Sequence, residues 1–159
     1  MQITIIAVGK LKEKYLKMAV DEYLKRLTTM AKVNILEVPD EKIPTSPSAN
    51  QIKQLLELEG KKINSVIPNN SYLIVLDLEG ENLASEELAA RIEDLALKGQ
   101  SHLTFVIGGS HGLSEEVLKK ADFSLSFGKM TFPHQLMRPI LLEQIYRSFS
   151  INQGRAYHK

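Results

Sequence analysis

Three stretches of this sequence combine residue types that could carry chemistry. Gly108-Gly109-Ser110-His111-Gly112 puts three glycines in five residues. That frees the backbone to take positive φ and lets a ligand approach its amides and carbonyls closely. Lys129-Met130-Thr131-Phe132-Pro133-His134 forms a long junction between an apolar run and the last helical one. Pro133 fixes φ and Pro139 lacks a donor, so regular helix is expected only from about 138–140. The backbone before it is then free to hydrogen-bond a nucleobase edge. The last five residues, Arg155-Ala156-Tyr157-His158-Lys159, crowd a guanidinium, a phenol and an imidazole together. Each stretch has a plainer reading: a tight turn before a helix, a connector with His134 as a cap, and a frayed terminus.

Much familiar chemistry is excluded. The glycine loop is not the dinucleotide pattern G-x-G-x-x-G, and Gly128-Lys129 is not a P-loop, because Phe123 and Met130 stand where that motif needs a glycine and a hydroxyl. The G-x-S-x-G elbow of acyl transfer is absent, and Ser110 next to His111 is not a nucleophile–base geometry. With no cysteine, a disulfide framework, a thiolate zinc site and a cysteine nucleophile are ruled out. No His/Asp/Glu spacing resembles a metal site, so no metal is expected. Among the histidines, His102 precedes a strand and reads as structural or exposed, and His111 as solvated. His134 and His158 are the ones that could act near neutral pH.

These groups need a scaffold to converge. With 159 residues, residues 1–159 are expected to form a single domain burying roughly 70% of its unfolded surface. Five short apolar, β-branched runs read as strands: Ile3–Val8, Val33–Val38, Tyr72–Leu78, Leu103–Ile107 and Phe123–Phe127. Helices are expected near 12–28, 49–64, 85–98, 114–121 and 135–152. Ser48 with Gln51 has capping-box spacing, Ser85 and Ser114 precede paired glutamates, and Gly99 stands where a helix C-terminus favours a left-handed residue. Strands alternating with helices predict an α/β domain, a parallel-rich sheet of five to six strands with helices on both faces. YLIVLDL and LTFVI lack polar alternation, as doubly buried strands should. In such sheets ligands bind beyond the carboxyl ends of the strands, which is where Leu76-Asp77-Leu78-Glu79-Gly80, the glycine loop and the 126–134 junction fall.

The net charge of +1 conceals an uneven distribution. Residues 10–32 and 129–159 each sum to +4, and residues 33–128 to −7. Two basic ends around an acidic middle can form a footprint for a polyanion without an extreme isoelectric point, although a solvated helix face would look the same. No apolar run approaches the ~20 residues of a membrane span, and residues 2–8 are too short for a signal-peptide core, so a soluble cytoplasmic protein with no membrane partner is expected.

The strings IGGSHGLS (107–114), LSFGKMTFPHQLMRPILLEQIYRSFSINQG (125–154) and AYHK at the end closely resemble the RlmH family of SPOUT-class RNA methyltransferases. The opening ITIIAVGKLKEKYLKMAVDEYLKRL fits the family's first strand and helix, so the likeness covers the whole chain. Small departures stand at Phe132, Pro139 and Ala156, where the family more often has Leu, Val and Pro. The resemblance implies S-adenosylmethionine-dependent methylation of N3 of a pseudouridine in 23S rRNA, a homodimer and a C-terminal trefoil knot. A knot would not be expected from pattern alone. Carried onto this chain, the family's methyl-donor positions are Leu76, Gly108 and the run Phe127, Gly128, Lys129, Met130, Thr131 and Phe132. They coincide with the strand-end loops singled out on chemical grounds.

Methyl transfer from a sulfonium needs in-line alignment and a nitrogen stripped of its proton. The tail is assigned to the substrate, with His158 or Tyr157 near N3 and Arg155 offering charge, and His134 as second candidate for the proton. In a dimer the tail of one subunit could complete the pocket of the other. Lys10, Lys12, Arg138 and Arg147 are expected to contact RNA, and the small size predicts assembled ribosome rather than free RNA as substrate. The competing readings are a related methyltransferase acting on another RNA such as tRNA, a non-enzymatic ribosome-associated protein, and a flavodoxin-like nucleotide-binding enzyme.

Overall fold

The computed structural model describes residues 1–157. Its strands are β1 (Gln2–Val8), β2 (Lys32–Val38), β3 (Tyr72–Asn82), β4 (His102–Ile107) and β5 (Phe123–Ser126). Its helices are α1 (Lys14–Leu27), α2 (Ala49–Val66), α3 (Ser85–Leu97), α4 (Glu115–Lys120) and α5 (Met137–Asn152). The strands form one sheet in the order β2-β1-β4-β3-β5, and every pairing is parallel. Five strands are therefore present among the described residues, with no sixth.

Alternate residues of the inner strands face opposite layers, which is why these strands show no polar alternation. Ile3, Ile5, Phe105 and Ile107 join Leu27 of α1, Ile92 of α3 and Leu141, Leu142 and Ile145 of α5 in one buried cluster. Ile6, Val8, Val75 and Val106 join Ile63 of α2 and Val117 of α4 in the other. The helix starts follow local chemistry. Ser48 and Gln51 form a reciprocal capping box, and the Ser114 hydroxyl accepts from the Val117 amide. Ser85 is not a cap. The residue before the helix is Ala84, and its amide donates to the Glu87 carboxylate while the Ser85 hydroxyl donates to Gln144 of α5. Gly99 has a φ of 83°, as expected after α3.

Two boundaries differ from expectation in ways that matter for the site. Strand β3 runs on to Asn82, with a break in its register on β5 between Leu76 and Glu81, so residues 77–80 bulge out at the sheet edge. Helix α5 begins at Met137, after a turn in which the Leu136 amide donates to the Pro133 carbonyl. Pro139 then lies in the first turn of α5, where its missing N–H leaves no bond unmade.

Candidate functional site

Because β4, β3 and β5 are parallel neighbours, their carboxyl ends share one edge of the sheet. Leu76 pairs with Leu125, and Val75 with Val106, so Leu76, Gly108 and Phe127 emerge side by side. The three predicted donor loops are thus brought together. Ser126 organises the exit of β5: its hydroxyl donates to the Leu78 and Gly128 carbonyls and accepts from the Gly128 amide. Its own carbonyl accepts from the Asn82 side chain. Gly128 has a φ of 112°, a conformation that glycine adopts without strain. The Gly128 amide and carbonyl are taken by Ser126, but among the described residues no backbone–backbone hydrogen bond involves residues 129–132, whose amides and carbonyls could meet a ligand. Lys129 and Met130 are exposed, and Phe132 is half-buried against the core. A cleft of about 170 Å³ opens beside this loop, between Asn82, Ser85, Leu125, Phe127 and Gln144. It shares only Phe127 with the predicted set.

The glycine loop is folded tightly on itself. Gly109 bridges Gly112, and a Cβ on Gly108 would lie 2.5 Å from the Gly112 carbonyl oxygen. Ser110 and His111 are exposed, as the plain reading had them. His102 is structural: its Nε2 lies 2.9 Å from the Thr4 hydroxyl.

His134 also reaches the strand-end edge. Its Nε2 faces Gly9 and Asp40, beyond the end of β1. Burial, reinforced by the charges of Arg138 and Lys12, holds its pKa below the usual imidazole range, so the ring is neutral at pH 7. A neutral imidazole is the form that can accept a proton.

Arg138, expected to contact RNA, is instead buried in the fold. It is 2% exposed, donating to the Glu37 carboxylate at 2.6 Å, to the Val8 carbonyl at 3.4 Å and to the Gly9 carbonyl. Its Nε is buried without a partner. Burial works to raise the pKa of Glu37, but the Leu11 amide and Arg138 outweigh it and hold it low. Arg138 thus ties the first turn of α5 to the tip of β1. Lys10 and Lys12 are exposed, and the Lys12 amide donates to Gln135 at 3.1 Å, fixing a basic segment beside His134.

Tyr157, of the tail, packs on another part of the chain. The Tyr157 hydroxyl donates to Glu143 of α5 at 3.2 Å, its ring packs edge-on against Tyr146 at 4.7 Å, and the Arg147 guanidinium lies 4.9 Å from its centroid. Arg147 in turn donates to Glu143 through its Nε at 2.9 Å. Arg147 is therefore half-buried in this cluster rather than free for RNA. Burial, with the Tyr23 and Glu143 side chains, pushes the Tyr157 phenol up to about 12. Tyr157 keeps its proton in this setting and donates a hydrogen bond to Glu143. Arg155 is exposed, and His158 lies outside the described residues. Among the described residues, the Tyr157 side chain meets groups on α1 and α5.

One buried residue beside the glycine loop gave no sequence signal. Glu59, inside the apolar run of α2, is 4% exposed. Its Oε1 accepts from the Glu41 amide at 3.0 Å, and its Oε2 would lie 3.2 Å from a Cβ on Gly109. Burial raises its pKa, as do Asp40 and Glu41, against the lowering effects of the Glu41 amide and Lys62. A carboxyl whose pKa rises on folding stabilises the fold below the ordinary glutamate range, and that contribution fades as pH climbs through the raised value. Glu59→Gln cannot ionise, so its melting temperature relative to the wild type should rise between pH 4 and pH 8. Paired thermal melts across that range check this, and a constant or falling difference would refute it.

Among the described residues, no helix is long and apolar enough to cross a membrane. The family model described as "Predicted SPOUT methyltransferase" matches residues 1–158. Curated relatives named "Ribosomal RNA large subunit methyltransferase H" are similar over all 159 residues and over the full length of each relative. The protein from Clostridium novyi is 58% identical, that from Carboxydothermus hydrogenoformans 56%, and that from Clostridioides difficile 55%. A solved "probable methylase family protein" from Haemophilus influenzae aligns with 99% of this chain and 70% of its own, with a TM-score of 0.52 at 13% identity, a likeness of fold alone.

Proposed function

The chain belongs to the SPOUT methyltransferase family, and from that premise we propose that it methylates N3 of a pseudouridine in 23S rRNA within the assembled ribosome, using S-adenosylmethionine. The observation that carries this reading is the convergence of Leu76, Gly108 and the 127–132 loop, with no backbone–backbone bond at 129–132, at one sheet edge. Tightly folded glycine backbone beside open amides and carbonyls suits an adenine edge and a methionyl group. S-adenosylmethionine, when bound there, supplies an electrophilic methyl on sulfur.

What the chain's own residues must supply is alignment and a proton acceptor. As the N3–methyl bond forms and the sulfur–methyl bond breaks, the N3 proton leaves to a base. His134 is neutral and stands at the same edge. Tyr157 keeps its proton and acts as a donor to a substrate oxygen, with Arg155 providing charge and His158 the alternative base. Lys10, Lys12 and Lys129 form a basic rim around the strand ends that suits an RNA backbone.

A homodimer belongs to the same reading. Tyr15 and Met18 of α1 are 66% and 62% exposed, on the helix whose Tyr23 approaches the tail. A second copy covering that face would bring its tail toward the first copy's strand-end loops. The family likeness implies a trefoil knot, and the bonds of Leu78 and Asn82 to Ser126 hold β3 against the exit of β5.

Calorimetry with S-adenosylmethionine and mass spectrometry of 23S rRNA from cells lacking the protein test the reading. A micromolar-range affinity and the loss of one methyl from a pseudouridine are expected. No affinity for the donor, or unchanged rRNA, would overturn it. Tyr157→Phe with His158→Ala should abolish methyl transfer while donor affinity stays within twofold; transfer at the wild-type rate would remove the tail from the reaction.

A further inference from the structure

The glycine loop does not hold its shape unaided. Helix α2 presses on it with two consecutive residues. Gly60 lies under the start of α4, where a Cβ would come within 2.3 Å of the Ser114 hydroxyl oxygen. Glu59 beside it projects a carboxylate that touches both neighbouring loops. One oxygen accepts from the Glu41 amide, and the other faces Gly109 across a gap only a glycine leaves open. Lys62, one turn further along α2, bonds to Glu41 at 2.5 Å and to the Pro39 carbonyl at 3.1 Å, so the turn after β2 is tied to α2 as well. Acid in a buried position among other acids, Asp40 and Glu41, is not what packing alone selects.

We propose that Glu59 is a positioning residue for methyl transfer, clamping the turn at 39–41 and the glycine loop to α2 so that Gly108 and Gly109 keep the shape that receives the methyl donor. This rests on the reaction proposed above. Glu59 touches no substrate. It acts through Gly109 and through the turn that also faces His134 by way of Asp40.

Glu59→Ala removes the clamp and leaves the glycine loop without its support. It should raise the KM for the donor about tenfold or more while kcat changes less than threefold. Glu59→Gln keeps an acceptor for the Glu41 amide and the side-chain volume, so it should restore KM to within about threefold of wild type. A loss of folded protein would instead lower kcat at constant KM. The partner residue gives a second readout. Gly109→Ala crowds the Glu59 carboxylate, and part of its effect on KM should vanish when Glu59 is already alanine, a departure from additivity. Wild-type protein run alongside separates the two proposals. If the wild type neither binds nor uses S-adenosylmethionine, the reaction itself is wrong. If the wild type is active and Glu59→Ala keeps its KM, or the two substitutions are strictly additive, the positioning role is wrong.

Discussion

Gly108→Ala is expected to lower methyl transfer about 100-fold or more while leaving the chain folded. The added methyl would lie 2.5 Å from the Gly112 oxygen and 2.8 Å from its carbonyl carbon, both backbone atoms. Neither can rotate away, so the loop must open by the better part of an ångström. Overpacking of this kind costs about 1–3 kcal/mol of stability, which a domain of this size tolerates. A shift of about 1 Å in a group that aligns reactants costs on the order of 100-fold in rate. Most of the loss should fall on donor affinity, since the displaced amides belong to the loop proposed to receive it. Calorimetry with S-adenosylmethionine and single-turnover methylation of ribosomes measure both effects, with circular dichroism to confirm folding. Near-wild-type affinity would mean that the donor does not rest on this loop.

Arg138→Met should unfold at a temperature roughly 10 °C below wild type. The side chain is buried and donates from α5 to the Val8 and Gly9 carbonyls. Methionine fills most of the volume, so the loss isolates the polar contacts rather than a cavity. Glu37 is partly exposed and can rehydrate, whereas the two strand-end carbonyls lose their charged donor. Removing one partner from a buried ionic cluster costs about 3–5 kcal/mol, and each kcal/mol moves the midpoint of a chain this long by about 2–4 °C. Lysine should recover only part of the loss, because a point charge cannot fork to three acceptors. A decrease below about 3 °C would show that Glu37 and the strand tip are held by other contacts.

The layered fold was legible in the sequence because its signals are local. Runs such as YLIVLDL and LTFVI bury both faces and say so by their lack of alternation, and Ser48 and Ser114 mark helix starts through bonds spanning three residues. Ser85 misled because its hydroxyl turns to Gln144, 59 residues away, and leaves the capping to Glu87. The extension of β3 to Asn82 was hidden for a similar reason. Leu78, Glu79 and Gly80 look like a turn, and only pairing with Leu125 and Ser126 recovers the strand.

The strand-end loops were found because glycine density and proline are visible one residue at a time. Arg138 was misread because a cation in a basic segment looks like an RNA contact until Glu37 and the tip of β1 come to meet it, about a hundred residues away in sequence. Glu59 was invisible in the same way. Its meaning depends on Glu41 and Gly109, and nothing at its own position within LLELEG distinguishes it from a solvated helix residue.

The bond from Arg138 back to Gly9 spans 129 positions, and it bears on how the polypeptide matures. The opening strand lies inside the sheet, between β2 and β4, and its far end is sealed by α5, far along the chain. A nascent chain emerging from the exit tunnel therefore holds its first strand tip uncapped until translation has passed residue 138. Closure over so long a separation is slow, since the chain entropy is lost before the contact returns anything. A fragment that stops short of α5 leaves the Val8 and Gly9 carbonyls without Arg138, and it should be digested by proteases faster than the full chain.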